Sequence, residues 1–132
     1  MVAGAARIIV VEDNDIVRGF LAEILTREGY EVAEATGTDA ALALLDDAAF
    51  SLVLTDVDMP GRSGLELLDE VRRLGAAPPV LLISGLAVDP LREEALARGA
   101  AGLIAKPCTA NELLEAVAGA ISAGAPAADV SG

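Results

Sequence analysis

Four apolar runs of this chain end in side chains whose types could perform chemistry together. The first run ends in Glu12 and Asp13, the third in Asp56, the fourth in Ser84 and the last in Lys106. Reactive and ligand-binding groups of open α/β sheets lie at the carboxyl ends of the strands. A structural core does not require acids, a hydroxyl and an amine at the same end of four strands. We therefore expect these five side chains to form one polar cluster.

The carboxylates of this cluster predict a divalent cation if the first and third strands are neighbours. Two unit charges about 4 Å apart, at an effective dielectric constant of about 20, repel by roughly 4 kcal/mol, so the acids need protonation or a cation. Oxygen ligands without histidine or thiolate favour Mg²⁺ or Mn²⁺ over zinc and leave positions for phosphate oxygens. Asp56 could act as a nucleophile that forms an acyl phosphate, with Lys106 and Ser84 stabilising the phosphoryl group.

Size and composition limit the classes of function. The chain has 132 residues, which fits one domain, and 21 acids against 9 bases give a formal net charge of −12. That charge argues against direct binding to nucleic acid, whose affinity depends on neutralising phosphates. The sequence has no histidine for an imidazole base or metal site, and the single cysteine, Cys108, excludes an internal disulfide and fits a reducing cytoplasm. No apolar stretch is long enough for membrane insertion, and the start does not have the pattern of a secretion signal.

Alternating segments of two kinds predict an α/β fold. Short apolar runs predict five strands, at residues 7–11, 31–35, 51–55, 80–84 and 101–105. Segments of helical character lie at residues 15–28, 38–47, 64–74, 90–98 and 110–123. Strict alternation indicates a parallel sheet wound by right-handed crossovers, and the polar–apolar alternation of the second strand suits an edge position. One domain is expected at 7–122, after a lead at 1–6 and before a disordered tail or linker remnant at 123–132.

The helices carry signals of where they end and which face they bury. Asp89-Pro90 predicts an N-cap followed by the first helical residue. Two pairs have the spacing of a capping box, Ser63 with Glu66 and Thr109 with Glu112. Three glycines are expected to be left-handed residues after helix ends, Gly29, Gly75 and Gly99. One apolar stripe of the first helix is expected to face the core, formed by Val17, Phe20, Leu21, Ile24 and Leu25.

Taken in order, several short motifs resemble those of the receiver domain of bacterial two-component response regulators. They are Glu12-Asp13, Asp56 followed by Met59-Pro60 and Gly64, Ser84-Gly85, and Lys106-Pro107. Each motif alone is weak evidence, whereas the ordered set extends over residues 7–122. The resemblance implies a flavodoxin-like, five-stranded parallel sheet in the order 2-1-3-4-5 with helices on both faces. It also implies an output face made by the fourth helix, the fifth strand and the fifth helix.

The same resemblance implies a role for each residue of the cluster. Asp56 is then the phosphoacceptor, Ser84 donates a hydrogen bond to the phosphoryl group, and Lys106, with a cis bond to its proline, pairs with a phosphoryl oxygen. The implied ligands of Mg²⁺, or of Mn²⁺ as the alternative, are Asp13, Asp56, Glu12 through water and the backbone carbonyl of Asp58. A sensor histidine kinase would supply the phosphoryl group. The domain would catalyse its own phosphorylation and dephosphorylation rather than turn over a separate substrate.

The chain departs from the family pattern at positions that we expect to tune the response. Leu103 stands where the family usually has an aromatic switch residue, and a leucine cannot provide a ring flip. Cys108 replaces a common phenylalanine and is interpreted as a small buried hydrophobe. Asp58 and Leu86 are expected to flank the path of the hydrolysing water and to set the lifetime of the acyl phosphate. Gly85 is expected to leave the pocket open to a kinase or phosphatase, with a flexible turn as the alternative.

Three other classes of protein explain fewer of these residues. Asp56-Val-Asp58 fits the Asp-x-Asp motif of haloacid-dehalogenase-type phosphatases, but that motif follows the first strand of a larger domain and leaves Glu12 and Asp13 unexplained. A nucleotide or flavin binder needs a Gly-rich or hydroxyl-rich loop after the first strand, where this chain is acidic. A degenerate receiver used only for docking is not favoured, because Asp56 and Lys106 are both present.

Two contexts stay open within the receiver interpretation. Met1 and the absence of an effector domain favour a cytoplasmic single-domain regulator with a downstream protein target. The featureless tail and Leu103 fit the receiver of a hybrid sensor histidine kinase equally well. In that case the phosphoryl group passes on to a histidine phosphotransfer protein, and kinase activity belongs to the rest of the hybrid chain.

Overall fold

The structure of the protein is a computed structural model that describes residues 6–75, 77–85 and 88–123. Within these ranges strands and helices alternate without exception. The strands are β1 (Arg7–Val11), β2 (Glu31–Ala35), β3 (Leu52–Asp56), β4 (Val80–Ser84) and β5 (Gly102–Ala105). The helices are α1 (Asp15–Arg27), α2 (Thr38–Asp47), α3 (Gly64–Arg73), α4 (Val88–Ala97) and α5 (Ala110–Ala123).

The five strands form one parallel sheet in the order β2-β1-β3-β4-β5, which confirms the predicted fold. The register pairs Val11 with Thr55 and Ser84 with Ala105. The carboxyl ends of these strands are therefore level, so that the residues following them meet at one edge of the sheet. β2 is an edge strand, as its alternating pattern predicts, and none of its first four residues is fully buried.

Alternation of side chains along the central strands builds a core on each face of the sheet. On β1, Ile8 and Val10 face the side covered by α1 and α5, whereas Ile9 and Val11 face the side covered by α2, α3 and α4. The buried residues of α1 and α5 in the first core are Leu21, Leu25, Leu113, Val117 and Ala120. The buried residues of the other helices in the second core are Ala41, Leu67, Leu68, Val71 and Ala95. Burial on both faces explains why the central strands are near-continuous aliphatic runs.

Both predicted capping boxes are confirmed. Ser63 Oγ accepts a hydrogen bond from the Glu66 N–H at 3.3 Å, and the Ser63 N–H donates to Glu66 Oε1 at 3.1 Å. The equivalent distances between Thr109 and Glu112 are 3.0 and 2.8 Å. These bonds satisfy N–H groups that have no partner inside the helix, and they fix where α3 and α5 begin.

Two of the three predicted left-handed glycines are confirmed, since φ is 106° at Gly29 and 99° at Gly99. The prediction for Gly75 is wrong, because its φ does not lie in the left-handed region. α3 ends one residue earlier than expected, and its cap Leu74 is already extended, with φ −72° and ψ 145°. The chain therefore leaves this helix without a left-handed residue.

Several boundaries differ from the predicted ones. β3 is displaced by one residue, so Asp56 is the last residue of the strand and Ser51 precedes it. β5 begins at Gly102 rather than at residue 101. α4 begins at Val88, so Asp89 lies in the first turn rather than at the N-cap. Pro90 is tolerated inside that turn because the first N–H groups of a helix have no intrahelical acceptor.

The predicted apolar stripe of α1 is only partly confirmed. Leu21 and Leu25 are buried and Val17 and Ile24 pack against them, but Phe20 is 61% exposed. Phe20 lies at the margin of the stripe, where it lines a surface groove of about 400 Å³ together with α1 residues and the segment after β5. The ring is therefore outside the core, which is built from aliphatic side chains. The predicted lead and tail lie outside the described residues, except for Ala6 and for Ala123, which ends α5.

Candidate functional site

Three carboxylates converge at the carboxyl edge of the sheet. Glu12 and Asp13 follow β1, and Asp56 ends the adjacent strand β3. Each residue offers one oxygen atom, and these three atoms lie within 4.8 Å of one another. Glu12 and Asp56 are buried, with 2% and 3% of their surface exposed, whereas Asp13 is open to solvent. The structure therefore brings together the acids that the strand ends predict.

Lys106 completes this group, which we call the acidic pocket and define as Glu12, Asp13, Asp56 and Lys106. The lysine follows β5, and its backbone N–H donates to the carbonyl of Ser84 at 2.8 Å. Its Nζ lies 3.2 Å from Asp56 Oδ1 and 3.4 Å from Glu12 Oε1. The bond between Lys106 and Pro107 is cis, as the family resemblance implies. One ammonium thus contacts the two buried acids.

The electrostatics of the acidic pocket show that one lysine does not compensate its acids. Burial raises the pKa of Glu12 and the Asp56 charge adds to this, although the Asn14 N–H and Lys106 act in the opposite direction. Partial burial alone would lower the pKa of Lys106, but Asp56 and Glu12 outweigh it, so the pKa is raised. Both shifts have the direction expected where negative charge is in excess.

One oxygen of Asp56 stands out within the acidic pocket. Asp56 Oδ1 is buried and, among the described residues, accepts no hydrogen bond. Its 3.2 Å contact with Lys106 Nζ is an ion pair. A buried carboxylate oxygen normally has a hydrogen-bond donor. The oxygen atoms of this pocket and its excess negative charge therefore fit a hard divalent cation, which takes carboxylate, carbonyl and water ligands.

The backbone of Gly64 packs closely against the backbone of Asp56. A Cβ atom at residue 64 would lie 2.3 Å from the backbone oxygen of Asp56, a distance that no real side chain occupies. The Gly64 N–H also donates to the carbonyl of Val57 at 3.0 Å. Only glycine therefore allows the first residue of α3 to approach the end of β3 this closely. In the connecting loop, Met59 is buried in the core and Pro60 is exposed.

The buried hydroxyl of Ser84 is directed to Asp58 in this structure. Ser84 Oγ donates to Asp58 Oδ2 at a distance of 3.4 Å, which is long for a hydroxyl hydrogen bond. Ser84 is completely buried, whereas Asp58 is exposed in the loop after β3. The residue expected to contact a phosphoryl group thus lies beside the acid expected to tune the site.

The other predicted tuning positions have simple surroundings. Leu103 is buried in the second core, and its backbone carbonyl accepts a hydrogen bond from Arg92 Nη1 at 2.9 Å. Among the described residues, a Cβ atom at Gly85 would meet only Lys106 Cβ, at an ordinary 3.8 Å. Cys108 is half-buried against the first core, and burial raises the pKa of its thiol, which fits a hydrophobic packing role. Leu86 lies outside the described residues.

Sequence reasoning missed two residues that hold the acidic pocket in place. Asn14 is the N-cap of α1, because its Oδ1 accepts from the Val17 N–H at 3.0 Å, and its own N–H donates to Glu12 Oε2 at 3.0 Å. Arg18 Nη1 donates to the backbone carbonyl of Glu12 at 2.8 Å. An asparagine directly before an apolar-periodic segment is a cap signal that could have identified Asn14. Nothing local in the sequence indicates the contact of Arg18.

Comparison with known proteins identifies the class to which this fold and pocket belong. The chain matches the family described as response regulator receiver domain over residues 8–118. It therefore belongs to that family, the receiver domains of two-component systems, which interact with histidine kinases and for which Mg²⁺ and phosphoryl transfer are general. The predicted resemblance is confirmed.

Named relatives differ in how much of their length this chain covers. It is 39% identical to response regulator protein FleR of Pseudomonas aeruginosa over 86% of this chain and 24% of FleR. It is 31% identical to chemotaxis protein CheY of Bacillus subtilis over 86% of this chain and 95% of CheY. It is 33% identical to sensor histidine kinase RcsC of Salmonella typhi over 84% of this chain and 12% of RcsC. The chain spans between 24% and 51% of FleR and three other regulatory relatives.

A solved structure supports the same fold. The receiver domain of NtrX from Brucella abortus aligns with a TM-score of 0.82 and 37% identity, covering 87% of this chain and 98% of that one. The phosphatase alternative loses its support, since Asp56 ends the third strand and Glu12 and Asp13 are part of the pocket. In the described ranges, no helix has both the length and the apolar character needed to cross a membrane.

Proposed function

We propose that Asp56 is the phosphoacceptor of this receiver and takes a phosphoryl group from the phosphohistidine of a sensor histidine kinase. The observation that carries the proposal is the buried Asp56 Oδ1, which accepts no hydrogen bond among the described residues and lies 3.2 Å from Lys106 Nζ. A carboxylate oxygen that is short of donors is suited to attack phosphorus, and the nearby ammonium can stabilise the charge on a phosphoryl oxygen.

The proposed step forms one bond and breaks one bond. A carboxylate oxygen of Asp56 forms a bond to phosphorus, the bond between phosphorus and the imidazole nitrogen of the kinase breaks, and that nitrogen keeps the electron pair. Lys106 pairs with a phosphoryl oxygen, and the Ser84 hydroxyl donates a hydrogen bond to another phosphoryl oxygen in place of its present bond to Asp58. Hydrolysis then breaks the new bond and returns the carboxylate. The protein promotes this transfer mainly by positioning the reacting groups and neutralising their charge.

Mg²⁺ is the cofactor that we propose for the acidic pocket, with Mn²⁺ as an alternative. Asp13 and Asp56 would ligate it directly, Glu12 through water, and Asp58 through its backbone carbonyl. Support comes from the three converging carboxylate oxygens and from the raised pKa of Glu12, which is caused by burial and by the Asp56 charge. When bound, the metal neutralises charge on the carboxylates and on the phosphoryl oxygens.

The proposed lifetime control rests on Asp58 and Leu86. Asp58 is exposed beside the pocket and already shares a hydrogen bond with Ser84, so its charge lies next to the path of a hydrolysing water. We expect Asp58→Asn and Leu86→Glu to change the rate of phosphate release from the acyl phosphate. Unchanged release rates in both variants would end this part of the proposal.

We propose a cytoplasmic single-domain regulator whose output face of α4, β5 and α5 binds a downstream protein. Support comes from CheY, of which the chain covers 95%. The alternative is the receiver of a hybrid sensor kinase, as in the match to part of RcsC. Transfer of the phosphoryl group from Asp56 to a histidine phosphotransfer protein would favour the hybrid context. With a net charge of −12, direct binding to nucleic acid is not part of the proposal.

The experiment that tests the phosphoacceptor uses small-molecule donors. The wild-type chain is incubated with acetyl phosphate or beryllofluoride, with and without Mg²⁺, and followed by amide NMR. We expect shifts around the acidic pocket only when the metal is present, and no response from Asp56→Ala. Asp69→Asn, which changes a partly exposed acid on α3 that pairs with Arg98, is the matched control and should respond like the wild type. A full response of Asp56→Ala would contradict the proposal.

A further inference from the structure

Arg18 connects the acidic pocket to two other parts of the molecule. Its Nη1 donates to the carbonyl of Glu12 at 2.8 Å, its Nη2 to Asp15 Oδ1 at 2.6 Å and its Nε to Glu34 Oε1 at 3.2 Å. The three acceptors belong to the β1–α1 loop, the first residue of α1 and the edge strand β2. The Arg18 side chain is only 13% exposed. The planar guanidinium therefore makes a three-way connection that a flexible surface arginine does not make.

From this geometry we infer that Arg18 is a positioning residue for the divalent cation, because it immobilises the backbone that carries Glu12 and Asp13. The inference rests on the proposed metal site. The Glu12 N–H donates to the Ala35 carbonyl at 3.1 Å, so this residue is tied to β2 on one side and to Arg18 on the other. Arg18 contacts no carboxylate oxygen of the acidic pocket in any hydrogen bond described, so it acts on the ligands through their backbone.

Holding the backbone of Glu12 and Asp13 in place favours metal binding because the acids of the pocket repel one another. Without a cation, repulsion favours separation of the loop carboxylates from Asp56, and a loose loop would have to be reordered each time a metal binds. A backbone held from both sides avoids that cost. Groups that orient metal ligands commonly contribute on the order of 10- to 100-fold to metal affinity.

A positioning role and a purely electrostatic role of Arg18 predict opposite changes in metal affinity when Arg18 is lost. If only through-space charge mattered, loss of the Arg18 cation would strengthen binding of a divalent cation, because Asp15 and Glu34 would lose their compensating charge. If positioning matters, loss of Arg18 weakens binding although the site becomes more negative. Arg18→Lys keeps the charge but cannot reproduce the three-way geometry. Charge alone therefore predicts no change for that variant, and positioning predicts weaker binding.

The test measures the dissociation constant of Mg²⁺ by amide NMR titration with the metal alone. We expect Arg18→Met and Arg18→Lys to weaken Mg²⁺ binding by roughly tenfold. Arg27→Met is the matched control, because it removes an exposed arginine of the same helix that pairs only with Glu23 among the described ion pairs. Its Mg²⁺ affinity should equal that of the wild type. Equal or tighter binding by Arg18→Met would overturn the inference.

Folding and the metal site itself are controlled separately. Urea unfolding in the presence of a chelator shows whether the Arg18 variants are folded, and a loss of global stability alone does not change the affinity of the folded state. Should Arg18→Met not fold, Arg18→Lys, which keeps the charge, carries the test by itself. Wild-type Mg²⁺ affinity in Arg18→Lys would then overturn the inference. If the wild type binds no Mg²⁺, the proposed metal site fails. If the wild type binds Mg²⁺ and Asp13→Asn does not, an unchanged Mg²⁺ affinity in Arg18→Lys contradicts only the role of Arg18.

Discussion

Two regions of the molecule each gather three carboxylates around one basic side chain. The first is the acidic pocket. The second, the Arg62 cluster, consists of Arg62, Asp39, Glu66 and Glu70 and joins the β3–α3 loop to α2 and α3. The guanidinium nitrogens of Arg62 lie 2.9, 3.7 and 2.7 Å from these carboxylates in turn. The distances are comparable in the two regions, although Lys106 contacts only two of its three acids and Glu70 also pairs with Arg73 at 3.2 Å.

The consequences are opposite because the acids that contact Lys106 are buried, whereas those that contact Arg62 are at least partly exposed. In the Arg62 cluster the pKa of Glu70 is lowered, chiefly by its hydrogen bond with Arg62. In the acidic pocket the pKa of Glu12 is raised, chiefly by burial. Water and a five-donor guanidinium satisfy the partly exposed acids, whereas the buried acids share one ammonium and, among the described residues, leave Asp56 Oδ1 without a hydrogen bond. A group of acids becomes a candidate site when burial prevents solvent from compensating it.

The largest expected difference between the two regions concerns the basic residue. We expect Lys106→Met to slow formation of the acyl phosphate from acetyl phosphate by roughly 100-fold, the loss typical when one preorganised charge-stabilising donor is removed. Arg62→Met should leave this rate unchanged, because the Arg62 cluster has no part in the chemistry. The measurement is the rate of the phosphorylation-dependent NMR change in excess Mg²⁺. A wild-type rate for Lys106→Met would break the distinction.

The next effect is the stabilisation of the folded state by metal. At a free Mg²⁺ concentration roughly 100 times the dissociation constant, binding to the folded state alone adds about 2.7 kcal/mol to the free energy of unfolding. We expect this gain for the wild type and for Glu70→Gln, and its loss in Asp13→Asn. Urea denaturation with and without Mg²⁺ measures it. If Glu70→Gln lost the gain as well, the metal would not be specific to the acidic pocket.

The smallest expected effect is the pH dependence of the free energy of unfolding in the absence of metal. Its sign is opposite in the two regions. The pKa of Glu12 is raised in the folded state. Its stabilising contribution to the free energy of unfolding is therefore fully present below pH 4.5 and is lost as pH rises through the raised pKa. Glu70 has a lowered pKa, so its contribution is present above 4.5 and is lost as pH falls through the lowered pKa.

Glutamine variants separate these two contributions. At neutral pH, Glu12→Gln should be more stable than the wild type and Glu70→Gln less stable, as measured by urea unfolding in a chelator. Both differences should diminish towards acid pH, where the wild-type carboxyl groups are protonated. A Glu12→Gln variant that is less stable than the wild type at neutral pH would show that Lys106 and Asn14 compensate Glu12 fully.

Most of the fold could be predicted because it depends on local patterns. Aliphatic runs mark strands covered on both faces, and the positions of Ser63 and Thr109 relative to their glutamates mark helix starts. The errors occur where a local signal has more than one structural solution. Pro90 is equally compatible with the first position of a helix and with a later one in the first turn. Phe20 fits the apolar period of α1, but only the packing of α1 against its neighbours shows that it lies outside the core.

The site could be predicted only in so far as the topology of a parallel sheet brings strand ends together. This places Glu12, Asp13, Asp56 and Lys106 at one edge before any side-chain position is known. The contact of Arg18 with Glu12 and Glu34 depends on how far α1 is rotated over β1 and β2, and no local pattern encodes that. The sequence also does not distinguish the acids of the acidic pocket from those of the Arg62 cluster, since burial is a property of the assembled core.

The hydrogen bond from Arg92 to position 103 has a consequence for how this domain can diverge. Its acceptor is a peptide oxygen, which every amino acid supplies, so replacement of Leu103 leaves the acceptor in place. The attachment of the fourth helix to the fifth strand thus depends on the main chain at this position, while the side chain there is constrained only by its packing in the second core.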